Sequence, residues 1–149
     1  MQKEQILARL RHLYNTNPFV HLLNIVIDDA GPGWAKSHMD VLPHLVNMDG
    51  LLHGGALGTL IDNLCGVSGR TLGYSVVTQN ISASYIRNIP AGSTAYAGCM
   101  VLHHGRSTMV MAVNAYSADH RLLCQAVATM FIAGADEKFQ NIWEEADIP

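Results

Sequence analysis

The chain has 149 residues, 49% of them hydrophobic and 14% charged, with a net charge of −3. That length reads as one domain with room for a real core. The absence of a basic run argues against nucleic acid as a partner, and no apolar stretch approaches the roughly 20 residues of a membrane span.

The charged fraction is well below the roughly 25% of an ordinary soluble domain. The shortage is concentrated in residues 41–133, which hold seven charged side chains. Such a middle is expected to bury more surface than a monomer of this size can hide, which implies a homo-oligomer. Cys65, Cys99 and Cys124 are odd in number and set in apolar contexts, so they read as reduced core residues of a cytoplasmic protein. The charged, amphipathic start MQKEQILARLRHLY does not read as a signal peptide.

In chain order, Gln2–Tyr14 is expected to be a short helix with Ile6, Leu10 and Leu13 as its apolar stripe, ended by Asn15-Thr16-Asn17-Pro18. A strand is expected over Leu22–Ile27, then a turn through Asp28–Gly33, then a second strand over Trp34–Leu42 stopped by Pro43. The loop His44–Leu52 leads to a helix that Gly54 and Gly55 open and Gly73 closes. After Gly73 the period changes from 3.6 to 2. Ser75–Ile86, Thr94–His103, Thr108–Ser117 and Leu122–Ile132 read as antiparallel strands. Their small residues (Ala95, Ala97, Gly98, Ala112, Ala115, Ala126, Ala128) suit a sheet wrapped closely around a helix. The acidic tail places Phe139, Ile142, Trp143 and Ala146 at helical spacing, as a short docked helix or a partly ordered end. One long helix with four strands after it and two before gives an α+β class.

The central helix is unusual on one side. Leu57, Leu60, Ile61, Leu64, Cys65, Val67 and Leu72 make a broad apolar face, while Gly58, Asp62, Gly66 and Gly69 share the opposite one. Glycine inside a helix costs about 1 kcal/mol against alanine, so three on one face suggest that something packs close there. Asp62 is the only acid between residues 41 and 133 placed in a regular element. A structural aspartate paired with Arg70 or Arg87 is one reading; an acid in a crowded junction, as enzymes use for bases and nucleophiles, is the other.

Asn47-x-x-Gly50-x-x-His53-Gly54-Gly55, with Asp62 seven residues on, resembles the hotdog-fold acyl-CoA thioesterases of the phenylacetate-degradation type. Val77-Thr78-Gln79-Asn80-Ile81, Tyr85-Ile86-Arg87 with Pro90-Ala91-Gly92, and His104-Gly105-Arg106-Ser107 resemble the same family. The resemblance runs from about Asn47 to Ile132. It implies a hotdog domain, and with the length and pattern above the chain reads as a single domain over 1–149, with an N-terminal helix in 1–15 and the acidic tail in 136–149. It also implies an acyl-CoA substrate, a homodimer or dimer of dimers with the active site between subunits, and hydrolysis without a cofactor.

Thioester cleavage needs a donor at the developing oxyanion and a base or nucleophile beside it. A helix N-terminus supplies free N–H groups and a positive dipole end, and Gly54 and Gly55 stand there. The resemblance places the Gly54 N–H on the thioester oxygen, with Gly55 beside the substrate. It implies that Asp62 of one subunit meets the His-Gly-Gly loop of the other, as nucleophile or as general base. Asn47 matches a residue that orients the carbonyl or the water, His53 one that touches the thioester region, and Thr78 a hydroxyl near the attacking water. Arg87 and the Gly105-Arg106-Ser107 turn are candidates for the coenzyme A phosphates.

Each of these residues also has a structural alternative: turn formation for Asn47 and the glycines, loop support for His53, ordinary strand packing for Thr78 and solvation for the arginines. The histidines show no clean ligand spacing and the cysteines no CxxC, so no metal site is expected. A Gly-x-Ser-x-Gly elbow is absent. Two other hotdog functions compete: a non-catalytic acyl-CoA binding or regulatory module, and a hydratase or dehydratase.

Overall fold

The hydrophobic period changes at Gly73, and the chain changes element there. The computed structural model describes residues 1–144. The central helix, α3 (Gly54–Thr71), runs out at Leu72. Gly73 follows with φ of +85°, a left-handed conformation that glycine adopts without Cβ strain. The amide of Gly73 donates to the Arg70 carbonyl at 2.8 Å and that of Leu72 to Gly69 at 3.1 Å, satisfying last-turn carbonyls.

Ahead of α3 come α1 (Lys3–Asn15), α2 (Pro18–Leu22), β1 (Ile25–Gly31) and β2 (Trp34–Asp40). After it come β3 (Tyr74–Tyr85), β4 (Thr94–His104), β5 (Thr108–Tyr116) and β6 (Leu122–Ala135). The strands form one antiparallel sheet in the order β1-β2-β4-β5-β6-β3. Its inner face carries the buried Ala95, Ala97, Met109, Met111, Ala115, Ala126, Ala128 and Met130 against Leu57, Leu60, Ile61, Leu64 and Val67 of α3. Alanine lets the strands approach the helix, and methionine fills the irregular space between. The element order anticipates the α+β class, and the resemblance the hotdog arrangement that these elements form. Gly98 and Ala112 depart from the expected lining. They alternate onto the outer face, where they border a groove of about 450 Å³ with Trp34, Met100 and Leu102.

Three expected boundaries move. Leu22 belongs to a helix, because Pro18 stands at its first position and the Asn17 side chain accepts from the Phe19 and Val20 amides. Asp28 and Asp29 continue the strand rather than turn: His38 Nδ1 lies 2.7 Å from Asp28 and Lys3 Nζ 2.8 Å from Asp29. These partners come from β2 and α1 and are invisible in the local pattern. The tail is not helical over the described residues. It folds as turns that bury Phe139 and Ile142, with Trp143 donating to the Thr71 carbonyl at 2.6 Å and the Met1 ammonium to the Ile142 carbonyl at 2.8 Å. Ala146 lies outside the described residues. The three cysteines are buried and unpaired.

The glycine face of α3 is filled by its neighbours. A Cβ on Gly66 would meet the Tyr14 hydroxyl at 3.3 Å, and one on Gly69 would meet Val76 Cγ2 at 2.7 Å. Alanine at position 69 improves helix propensity by about 1 kcal/mol. The stiff, branched Val76 cannot withdraw cheaply, and such overpacking costs roughly 1–3 kcal/mol. Gly69→Ala is therefore expected to lower the urea midpoint, and Val76→Ala added to it to recover part of the loss. A Gly69→Ala protein more stable than wild type would show that Val76 yields freely.

Candidate active site

The loop before α3 is pinned on both sides. His53 N–H donates to the Leu45 carbonyl and Leu52 N–H to Ile89, each at 2.9 Å, while Asn88 Nδ2 reaches the Leu52 carbonyl at 3.1 Å. Within the loop, Asn47 Oδ1 accepts from the amides of Asp49 at 2.9 Å and Leu51 at 3.1 Å, and Gly50 sits at φ +75°. The carboxamide oxygen of Asn47 is thus used in shaping the turn.

His53 is the N-cap of α3, and its Nδ1 accepts from the Gly55 amide at 2.9 Å. An acceptor Nδ1 carries no proton, so in the neutral ring the proton is on Nε2. The His53 carbonyl takes the Ala56 and Leu57 amides at 2.9 and 3.1 Å. One first-turn donor is left over. Among the described residues the Gly54 N–H has no acceptor, and it stands at the positive end of the helix dipole.

Asp62 lies half-buried, two turns along α3. Neither expected arginine pairs with it. Arg70 binds Asp136 at 2.6 Å and lies over the Tyr14 ring. The partner of Asp62 is Thr78, whose hydroxyl donates to Asp62 Oδ1. The register of β3 explains how. Val76 and Thr78 face the helix. The pairing with β6 then shifts between Thr78 and Asn80, a bulge that accommodates Gln79 as an extra residue. The bulge changes the parity of the strand, so Ile81, Ala83 and Tyr85 follow Thr78 onto the helix side.

Tyr85, quoted in the sequence only as part of the family-like segment and given no site role there, lies against the start of α3. Its hydroxyl donates to the Gly54 carbonyl at 2.9 Å. Desolvation, and behind it the Cys124 thiol, raise the phenol above its usual range, so it remains a donor. Alternation alone, counted from Thr78, would point it away from the helix; only the bulge turns it inward. A cleft of about 260 Å³ opens here between Gly54, Tyr85, Leu52, Leu57, Ile86 and Arg87.

The structure therefore gathers Gly54, Gly55, His53, Tyr85 and Arg87 at one end of β3 and Asp62 with Thr78 toward the other. The Gly105-Arg106-Ser107 turn lies at that other end, where His104 packs edge-on to Tyr74 at 5.1 Å between ring centroids. Among the described residues no group of three or more His, Cys, Asp or Glu is placed to hold a metal ion. No described helix is long and apolar enough to cross a membrane.

A six-stranded antiparallel sheet wrapped on one long central helix defines a hotdog-fold protein. The thioesterase superfamily model matches residues 49–124, half of the chain, and the chain belongs to that family of thioester hydrolases. A Streptococcus pneumoniae protein described as a hypothetical thioesterase, solved with coenzyme A, is 30% identical with a TM-score of 0.74 over 76% of this chain and 92% of that one. Variants of it have been solved in which an aspartate and a threonine, sixteen positions apart, are each replaced by alanine. An acyl-coenzyme A thioesterase of Bos taurus is 29% identical over 96 residues, 64% of this chain and 39% of the relative. The E. coli PaaI protein of the phenylacetic acid degradation operon shares the fold, with a TM-score of 0.82 at 22% identity over 90% of this chain and 96% of that one.

Removing the Asn47 acceptor strands two loop amides, at about 1 kcal/mol in total where water can partly replace it. Asn47→Ala is expected to lower the unfolding temperature, whereas Asn47→Asp keeps the acceptor and the stability. An alanine variant as stable as wild type would mean that the turn holds without this side chain.

Proposed function

We propose that this chain is an acyl-CoA thioesterase, with Gly54 N–H as oxyanion donor and Asp62 as general base or nucleophile. The observation that carries the reading is the pairing of an unfilled amide at the start of α3 with a carboxylate oriented by Thr78 further along the same helix. Asp62 and Thr78 are sixteen positions apart, the spacing of the two residues altered in the Streptococcus relative. That relative was solved with coenzyme A, and the bovine relative is an acyl-CoA thioesterase, which supports the substrate class.

The two groups cannot serve one carbonyl from one chain. Eight residues of helix separate them by about 12 Å, and a reacting carbonyl needs both within roughly 3–3.5 Å. A two-fold axis resolves this. Strand β3 is a sheet edge, and much of it is exposed, including Val77 at 54% and Tyr85 at 53%. Antiparallel pairing of β3 with its own copy carries the Gly54 end of one protomer to the Asp62 end of the other, giving two equivalent sites. The scarcity of charge in residues 41–133 fits such an assembly, and the apolar outer face could join two dimers. In this reading Arg106 and Arg87 meet the coenzyme A phosphates, and His53 presents its Nε2–H beside the thioester. The chain is read as one domain acting in the cytoplasm.

In the reaction the thioester carbonyl oxygen takes the Gly54 N–H as negative charge builds on it. Either Asp62 removes a proton from water, which attacks the carbon, or Asp62 attacks and forms an anhydride that water then opens. In both, the carbon–sulfur bond breaks, and coenzyme A leaves as the thiol. Solvent oxygen-18 found on Asp62 after a single turnover would mark the anhydride route.

Free-thiol release from aryl and aliphatic acyl-CoA esters tests the reading. Asp62→Asn is expected to lose roughly 10²–10⁴-fold in rate while staying folded. Gly54→Pro deletes the proposed donor at a first-turn position that suits proline, and is expected to lose about 10²–10³-fold. Mixed and re-equilibrated, the two inactive proteins should recover about a quarter of wild-type activity, because half the dimers are mixed and each holds one intact site. No recovery on mixing would sink the shared site. Coenzyme A binding without any thiol release would instead make the chain a binding module.

A further inference from the structure

Helix α3 begins with two glycines, a weak start that would fray without anchors. The His53 ring holds the Gly55 amide; the Tyr85 hydroxyl holds the Gly54 carbonyl at 2.9 Å. The tyrosine fits because the helix leaves room for it. A Cβ on Gly54 would stand 3.6 Å from the Tyr85 ring, and one on Gly58 would stand 3.0 Å from its hydroxyl. Gly54 and Gly58, one turn apart, therefore form a slot for the phenol. The rest of the ring is exposed and walls the cleft beside Leu52, Leu57 and Ile86.

We propose that Tyr85 is a positioning residue, which fixes the first turn of α3 through the Gly54 carbonyl and so aims the Gly54 amide at the thioester oxygen. The inference rests on the oxyanion reading of Gly54. The Gly54 carbonyl shares its peptide plane with the Gly55 N–H, so Tyr85 and the His53 ring together fix that plane. This restrains the φ and ψ of Gly54, which glycine otherwise leaves free, and with them the direction of the Gly54 N–H before the substrate arrives. Preorganisation of this kind acts where charge develops, so its loss appears in kcat rather than KM. Gly58 acts through the same contact: a methyl there collides with the hydroxyl and not with the ring.

The test is a double-mutant cycle on free-thiol release, with Tyr85→Phe, Gly58→Ala and the pair, alongside Gly54→Pro. Tyr85→Phe keeps the ring and removes the hydrogen bond. It is expected to lower kcat about tenfold with KM within about twofold of wild type. Gly58→Ala is expected to lower kcat similarly in the wild-type background and to add little once the hydroxyl is gone. Tyr85→Phe with wild-type kcat and only a lower unfolding temperature would overturn the proposal and leave the tyrosine structural. Equal losses from Gly58→Ala in both backgrounds would overturn the slot. Wild-type activity in Gly54→Pro would overturn the oxyanion reading and this proposal with it, whereas a crippled Gly54→Pro beside an unaffected Tyr85→Phe overturns this proposal alone.

Discussion

The contact between the glycine side of α3 and the groups that fill it sets the rest of the structure. Tyr85 lies over Gly58, Tyr14 over Gly66 and Val76 over Gly69. Isolated, a helix with five glycines among eighteen residues would be weak in water. Packed, the same glycines let strand β3 and helix α1 come closer than side chains would permit. The apolar side of α3 then meets an inner sheet face rich in alanine and methionine. Close approach on one side and burial on the other hold the helix on a fixed axis, and groups attached to it inherit that precision.

The two ends of the helix are treated differently. At the C-terminus Gly73 turns back, and its carbonyl receives the Asp136 amide at 2.8 Å, so the end is closed and covered by the buried Phe139 and Ile142. At the N-terminus His53 supplies a carbonyl and a ring nitrogen, yet one amide remains open. That amide is exposed, and an accessible N–H at the positive end of a helix is a place where an anionic or polarised oxygen is welcome. The loop that carries it is held by backbone bonds to Leu45 and Ile89 and by the Asn47 turn. An oxyanion site needs this arrangement: the donor stands ready, and little has to reorganise when charge appears.

The bulge in β3 connects the two halves of the proposed site. Before it, Thr78 faces Asp62; after it, Tyr85 faces Gly54. Without the extra residue at Gln79 one of them would point away from the helix. The strand also forms a free edge with apolar side chains on it, a surface that isolated domains rarely leave open. Pairing that edge with a second copy would cover it and bring together groups that one helix keeps about 12 Å apart.

The helix, the strand count and the turn at Gly73 were legible in the sequence, because hydrophobic period and glycine conformation are local properties. So was the prominence of Asp62, through the charge it lacks around it. The neighbours of each group were not. Asp28 and Asp29 read as a turn until His38 and Lys3 met them, and Arg70 belonged to Asp136 rather than to Asp62. Thr78 could be named from resemblance, but its place beside Asp62, and the inward turn of Tyr85, depend on a one-residue shift in strand pairing. Such a shift carries little signal along the chain, since it is decided by how β3 fits β6 and α3 together. The sequence by itself determined which elements form and which groups are chemically able. The tertiary structure decided which amide stays open and which side chain faces it, because hydrogen-bond partners and strand parity are settled between segments and not within them.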